Sequence, residues 1–139
     1  MSAAENKASY RRIIEEVWNQ GKLALLDELC AHNYVGHDPA MTVHGPEEFK
    51  QYVAMFRTAF PDTRMTIEEE IAEGNTVVIR YTSRGTHKGD LMGIPPTGKR
   101  TTVTGMSMMR FSNGKSEEAW FSYDALGMMQ QLGLIPSMT

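Results

Sequence analysis

The hydrophobic period of this chain changes once, at Phe60-Pro61-Asp62, and that switch limits the possible folds more than any single motif. Before it, apolar residues recur at helical spacing. Tyr10, Ile13, Ile14, Val17 and Trp18 stand at i, i+3, i+4, i+7 and i+8, one stripe of an α-helix. Asn19-Gln20-Gly21 ends that helix, because glycine suits the left-handed position after it. Leu23, Leu26 and Leu29 suggest a second, short helix. Pro46 can open a third, with Glu47 and Glu48 in the first turn and Phe49, Tyr52, Val53 and Phe56 as its buried face. Residues 33–44 show no period and read as a loop rich in polar and aromatic groups.

After the switch the period is two. Met65, Ile67, Glu69 and Ile71 alternate with polar residues, and Glu73-Gly74-Asn75 reads as a hairpin turn. Residues 77–82 are β-branched and aromatic, as strands favour. The glycines and prolines of 87–98 exclude a strand there. Residues 101–111 and 116–123 form two more strands around Asn113-Gly114, the strongest hairpin signal in the chain. A last helix is expected over 124–132, closed by Gly133. Helices segregated ahead of about four antiparallel strands imply an α+β fold. A length of 139 residues fits one domain over 1–139, with an ordered core over about 6–134.

Composition excludes several classes of function. The net charge is −3 and the basic residues are scattered, so no continuous positive face exists for nucleic acid. Apolar runs are too short to span a bilayer, and the N-terminus has no apolar signal core, so the expected location is the cytoplasm, away from membranes. Cys30 is the single cysteine and cannot form an internal disulfide; its apolar surroundings make it a buried structural thiol in a helical stretch.

Cofactor signatures are missing. There is no G-x-G-x-x-G, no Walker loop, no cysteine pair for zinc and no G-x-S-x-G elbow. A metal site on His37, Asp38 and His44 has only arbitrary loop spacing behind it. Acid–base chemistry in a pocket needs less: one carboxylate or imidazole whose pKa burial moves toward neutrality. Asp124 ends the strand 119–123, where alternation puts it on one face with Trp120 and Ser122 and puts Phe121 and Tyr123 on the other. It also stands where an N-cap for the last helix belongs. His37 is a second candidate, as a pocket donor or relay, beside an Asp38-Pro39 turn in which Asp38 bonds its own backbone. His87 fits a pocket mouth or a solvated loop start. Met106 and Met108 fit core packing or a pliable pocket lining.

The chain resembles the SnoaL-like polyketide cyclase or ester cyclase family, within the nuclear-transport-factor-2-like superfamily. The likeness runs from about Ile14 to Gly133 and rests on the order of several short motifs: Glu16-Val-Trp-Asn-Gln-Gly21, Tyr34-Val-Gly-His-Asp-Pro39, Ala59-Phe-Pro-Asp62, Gly85-Thr-His-Lys-Gly89, Gly93-Ile-Pro-Pro-Thr-Gly-Lys99, Trp120-x-x-x-Asp124 and Gln131-Leu-Gly133. The resemblance implies a conical barrel, a curved sheet wrapped around helices with a deep pocket, and dimers or larger homo-oligomers paired through the outer sheet face. It implies ring closure by intramolecular aldol condensation on an aromatic ester, without metal or cofactor. Asp124 would be the acid/base and His37 its helper. Trp18, Tyr34, His87, Met106, Met108, Arg110, Trp120 and Ser122 would hold a small-molecule substrate. The chain departs from the antibiotic cyclases at Ser122, where they carry histidine, and in the methionines and Arg110 of the preceding strand. Isomerisation, dehydration, epoxide hydrolysis and a non-catalytic binding module are alternatives on the same fold.

Overall fold

The computed structural model of the chain describes residues 2–136. Helix α1 (Ala3–Arg12) is opened by a capping box between Ser2 and Glu5. It continues into a π-helical segment, Ile13–Trp18, which ends near Gly21 at positive φ. The short α2 (Leu25–Leu29) follows. Cys30 is the first residue of a strand rather than part of a helix, and burial pushes its thiol up to about 12, so it is an inert core group.

Residues 33–44 are not a loop. They lie in strand β1 (Cys30–Asp38) and the short β2 (Met41–His44). Alternation was hidden because the inward positions of β1 are Tyr34, Gly36 and Asp38, of which only one is apolar in type. The expected Asx turn is present between the two strands: Ala40 N–H donates to Asp38 Oδ1 at 2.8 Å. Helix α3 (Gly45–Ala59) has Pro46 in its first turn and buries Phe49, Tyr52 and Val53. Each such burial contributes roughly 1.5–3 kcal/mol. The four expected strands are β3 (Arg64–Glu73), β4 (Thr76–Thr86), β5 (Arg100–Ser112) and β6 (Lys115–Tyr123). Asn113 and Gly114 both take positive φ, as a type I′ hairpin requires. Helix α4 (Ala125–Gln131) closes the described chain.

The six strands form one curved, unclosed sheet in the order β2-β1-β6-β5-β4-β3. All neighbours are antiparallel except β1 and β6, which run parallel. The α+β expectation holds, with two more strands than the sequence indicated. Helix α1 packs against β3 and β4, and α3 against β1 and β2. The core lies between these helices and the inner sheet face.

Two bulges decide which side chains face that core. On β6, Arg110 pairs with Glu118 while Phe111 pairs with Ser116, so Glu117 is an extra residue. Ser116 and Ala119 are consequently both buried, and alternation is inverted across the bulge. On β3 the register slips in the same way between Ile67 and Glu69.

Candidate active site

A cavity enclosing about 800 Å³, its mouth included, opens between α1, α3, α4 and the inner sheet face. Its wall is largely aromatic. Tyr52 and Phe121 stack with ring centroids 5.5 Å apart; Trp18 meets Tyr52 edge-on at 5.9 Å; Phe56 meets Tyr123 edge-on at 6.1 Å. The helical stripe read from the sequence supplies Tyr10, Ile13, Ile14 and Trp18 to this wall.

Polar groups enter at two points. Tyr10 and Ser107 hydroxyls bond each other inside the core. The second is Tyr52, whose hydroxyl is bonded to Asp38, a residue 9 % exposed and not itself in the lining. One of its carboxylate oxygens accepts the Ala40 amide, and the other accepts the Tyr52 hydroxyl at 2.5 Å. Tyr81 and Tyr123 also line the cavity, and their hydroxyls make no hydrogen bond among the described residues. Gly105 makes room for the first of them: a Cβ there would lie 2.5 Å from the Tyr81 hydroxyl. Burial raises the pKa of all three tyrosines. The Asp38 hydrogen bond adds to the effect at Tyr52, and the negative charge of Asp38 adds to it at Tyr81 and at Tyr123, which reaches about 12. At neutral pH all three phenols are neutral donors, and one of them, Tyr52, donates to Asp38.

The residues singled out from sequence divide into groups. Trp18 is in the cavity wall. Tyr34 stacks on the cavity residue Phe49 at 5.0 Å and lies outside the lining. His87 is fully buried, with Nδ1 accepting the Thr97 amide at 3.2 Å and its ring beside Phe60; it ties down the loop 87–98 instead of standing at the mouth.

Met106, Met108, Arg110, Trp120, Ser122 and His37 share the outer sheet face; the alternation along β6 holds, but the side expected to hold substrate is the outward one. Phe121 and Tyr123, on the face opposite Trp120 and Ser122, are the inward residues. On the outer face His37 Nε2 lies 2.7 Å from Glu118 and its ring stacks on Trp120 at 5.4 Å. Arg110 donates to the same Glu118 at 3.1 Å and covers the Trp120 ring. Asp124 is exposed, and its Oδ1 accepts the Gly127 amide at 2.8 Å as the N-cap of α4. His37 and Asp38 project from opposite faces of β1, and His44 is exposed beside Glu48, so those three do not converge. Sequence reasoning passed over Tyr52, Tyr81 and Tyr123. The available signal was that a buried tyrosine hydroxyl needs a polar partner.

Comparison with known proteins gives one answer at the level of family. The model of SnoaL-like polyketide cyclases matches residues 8–132. Aklanonic acid methyl ester cyclase DauD of Streptomyces sp. (strain C5) is 31% identical over 129 residues, covering 88% of this chain and 78% of the relative. Nogalonic acid methyl ester cyclase of Streptomyces nogalater is 31% identical over 121 residues, covering 84% and 89%. The structure of TsrD from Streptomyces laurentii superposes with a TM-score of 0.88 at 24% identity, over 97% of this chain and 99% of that one, a likeness of fold.

Proposed function

Because the chain belongs to the SnoaL-like polyketide cyclase family, we propose that it is a cyclase-type enzyme closing a ring by acid–base chemistry on an apolar or aromatic carbonyl ester held in the aromatic cavity. The observation that carries this reading is the nearly buried Asp38, which accepts the hydroxyl of the cavity residue Tyr52 and whose charge is felt by the cavity residues Tyr81 and Tyr123. In an aldol closure, Asp38 takes a proton from the carbon next to a carbonyl. The electron pair moves to the carbonyl oxygen, which accepts hydrogen bonds from Tyr81 and Tyr123. The enolate carbon then attacks a second carbonyl of the same molecule, and the new alkoxide takes the proton back from Asp38. No external electron donor or metal enters this sequence, so every atom is conserved. Preorganised donors of this kind lower a barrier most in a water-poor site.

Asp124 is the second reading, carried by the resemblance to the antibiotic cyclases and by its place one residue after the cavity residue Tyr123. It requires the carboxylate to leave the Gly127 amide when a ligand enters. Assembly is part of the proposal too. His37, Trp120, Met108, Val78 and Ile71 form one row across the outer face by strand register, and Ile71 is 63% exposed. A second copy covering this row gives a homodimer. The function is tested by incubating the chain with aklanonic or nogalonic acid methyl ester, the compounds in the relatives' names, under a metal chelator. Ring closure is followed by chromatography, since an aldol addition leaves the mass unchanged. Conversion is expected; neither conversion nor binding of either ester would remove the reading.

A further inference from the structure

The chain has eight arginines, and five are engaged. Arg11 holds Glu70, Arg12 holds Glu16 and Glu28, Arg57 donates to the Trp18 carbonyl, Arg80 holds Glu69 and Arg110 holds Glu118. The other three, Arg64, Arg84 and Arg100, make no ion pair and no side-chain hydrogen bond among the described residues. All three line one groove of about 310 Å³ at the end of the sheet.

Strand register puts them on one face. Arg64 stands directly opposite Arg84; Arg84 stands opposite Thr102, two residues from Arg100. Like charges directly opposite on paired strands destabilise a sheet, so folding alone gives no reason for the Arg64–Arg84 pair. Threonine hydroxyls complete the lining, Thr66 and Thr102 among them. The one carboxylate in the groove, Asp62, accepts the Thr86 amide at 2.7 Å and the Thr86 hydroxyl at 2.8 Å. Three guanidinium groups against one carboxylate leave a local charge of +2. Gly85 and Thr101 line both this groove and the aromatic cavity, so the two are adjacent.

We propose that Arg64, Arg84 and Arg100 form an oxyanion site that takes a phosphate group. The planar forks of arginine match tetrahedral oxyanions in geometry, and a phosphate dianion matches the residual charge. The group comes either from free phosphate or from a phosphorylated ligand whose apolar part enters the neighbouring cavity.

Isothermal titration calorimetry with inorganic phosphate at fixed ionic strength tests the site, with phenyl phosphate and phenol alongside. Arg84→Gln is expected to weaken phosphate binding about tenfold or more, the scale of one lost charge-assisted hydrogen bond. Arg80→Gln, whose guanidinium already serves Glu69, is expected to leave it unchanged, and the melting temperature of each variant reports that it is folded. Phenyl phosphate binding tighter than both inorganic phosphate and phenol assigns the group to a ligand of the cavity; equal affinity of the two phosphates assigns it to free phosphate. No binding of either phosphate, or equal binding by the wild type and Arg84→Gln, overturns the site.

Discussion

Met108 and Met109 are neighbours in the chain and opposites in environment. Met109 is fully buried against the cavity, whereas Met108 lies half-buried on the outer face beside Trp120. The same division runs along β6, where Phe121 and Tyr123 face the cavity and Trp120 and Ser122 face outward. Both faces carry large apolar groups, but only the inner one holds a nearly buried carboxylate, Asp38, bonded to a neutral phenol of the cavity. The outer face carries exposed ion pairs such as Arg110–Glu118 and Arg80–Glu69, and at one end Arg64, Arg84 and Arg100, unpaired among the described residues. Hydrophobicity therefore does not distinguish a pocket from an assembly surface in this sheet. The company kept by the polar groups does.

That comparison is sharpened first by activity. Removing both inner hydroxyls, Tyr81→Phe with Tyr123→Phe, is expected to lower kcat by about 10²–10³ with little change in melting temperature, the scale of a lost oxyanion donor. Outer-face Ser122→Ala is expected to leave kcat unchanged, and equal losses from the two would break the distinction.

Stability gives the next contrast. Met109→Ala is expected to cost about 2–5 kcal/mol in urea unfolding, and Met108→Ala under about 1 kcal/mol, because only the first opens a buried hole. Similar costs would mean that the two faces are equally packed.

Assembly follows. Trp120→Glu is expected to halve the mass measured by light scattering while ester turnover persists. An unchanged mass would take the outer row out of any interface.

The smallest effect is in pH. All five tyrosines have raised pKa values, with burial the leading cause in each. A folded pKa above the unfolded one means that stability is complete below the unfolded value near 10 and is lost as pH rises through the folded value. For Tyr123 that window runs from 10 to about 12. Phenolate absorbance is therefore expected to rise together with unfolding above pH 10. Early, separate ionisation of a tyrosine in the folded chain would show that its hydroxyl is solvated.

Much of the fold was legible because it rests on local signals. The Tyr10–Trp18 stripe, Pro46, the Asn113-Gly114 turn and the switch at Phe60-Pro61 each act within a few residues. Strands β1 and β2 were not legible: β1 is held by parallel pairing to β6, some 80 residues away in the chain, and no local pattern reports that contact. The facing of β6 was misread for a related reason. Alternation separates Trp120, Ser122 and Asp124 from Phe121 and Tyr123 without saying which set faces the core, and the extra residue at the bulge keeps the strand's buried start at Ser116 from reporting it. Asp124 was visible as both an acid and a cap, and its cap is present. Asp38 was visible as a turn residue and as a member of a loop metal site, but not as an acid bonded to a cavity tyrosine, because that bond comes from Tyr52 on α3.

The central claim is that the working carboxylate is Asp38, which is bonded to the cavity residue Tyr52. Turnover of Asp38→Asn and Asp124→Asn on the same methyl ester, with both variants verified as folded, tests it most directly. The account predicts that Asp38→Asn loses about 10²–10⁴ in kcat, the range for a general acid–base group, while Asp124→Asn loses less than about tenfold. A chain that keeps its turnover without the Asp38 carboxylate and loses it without Asp124 would contradict the account and move the chemistry to the end of β6.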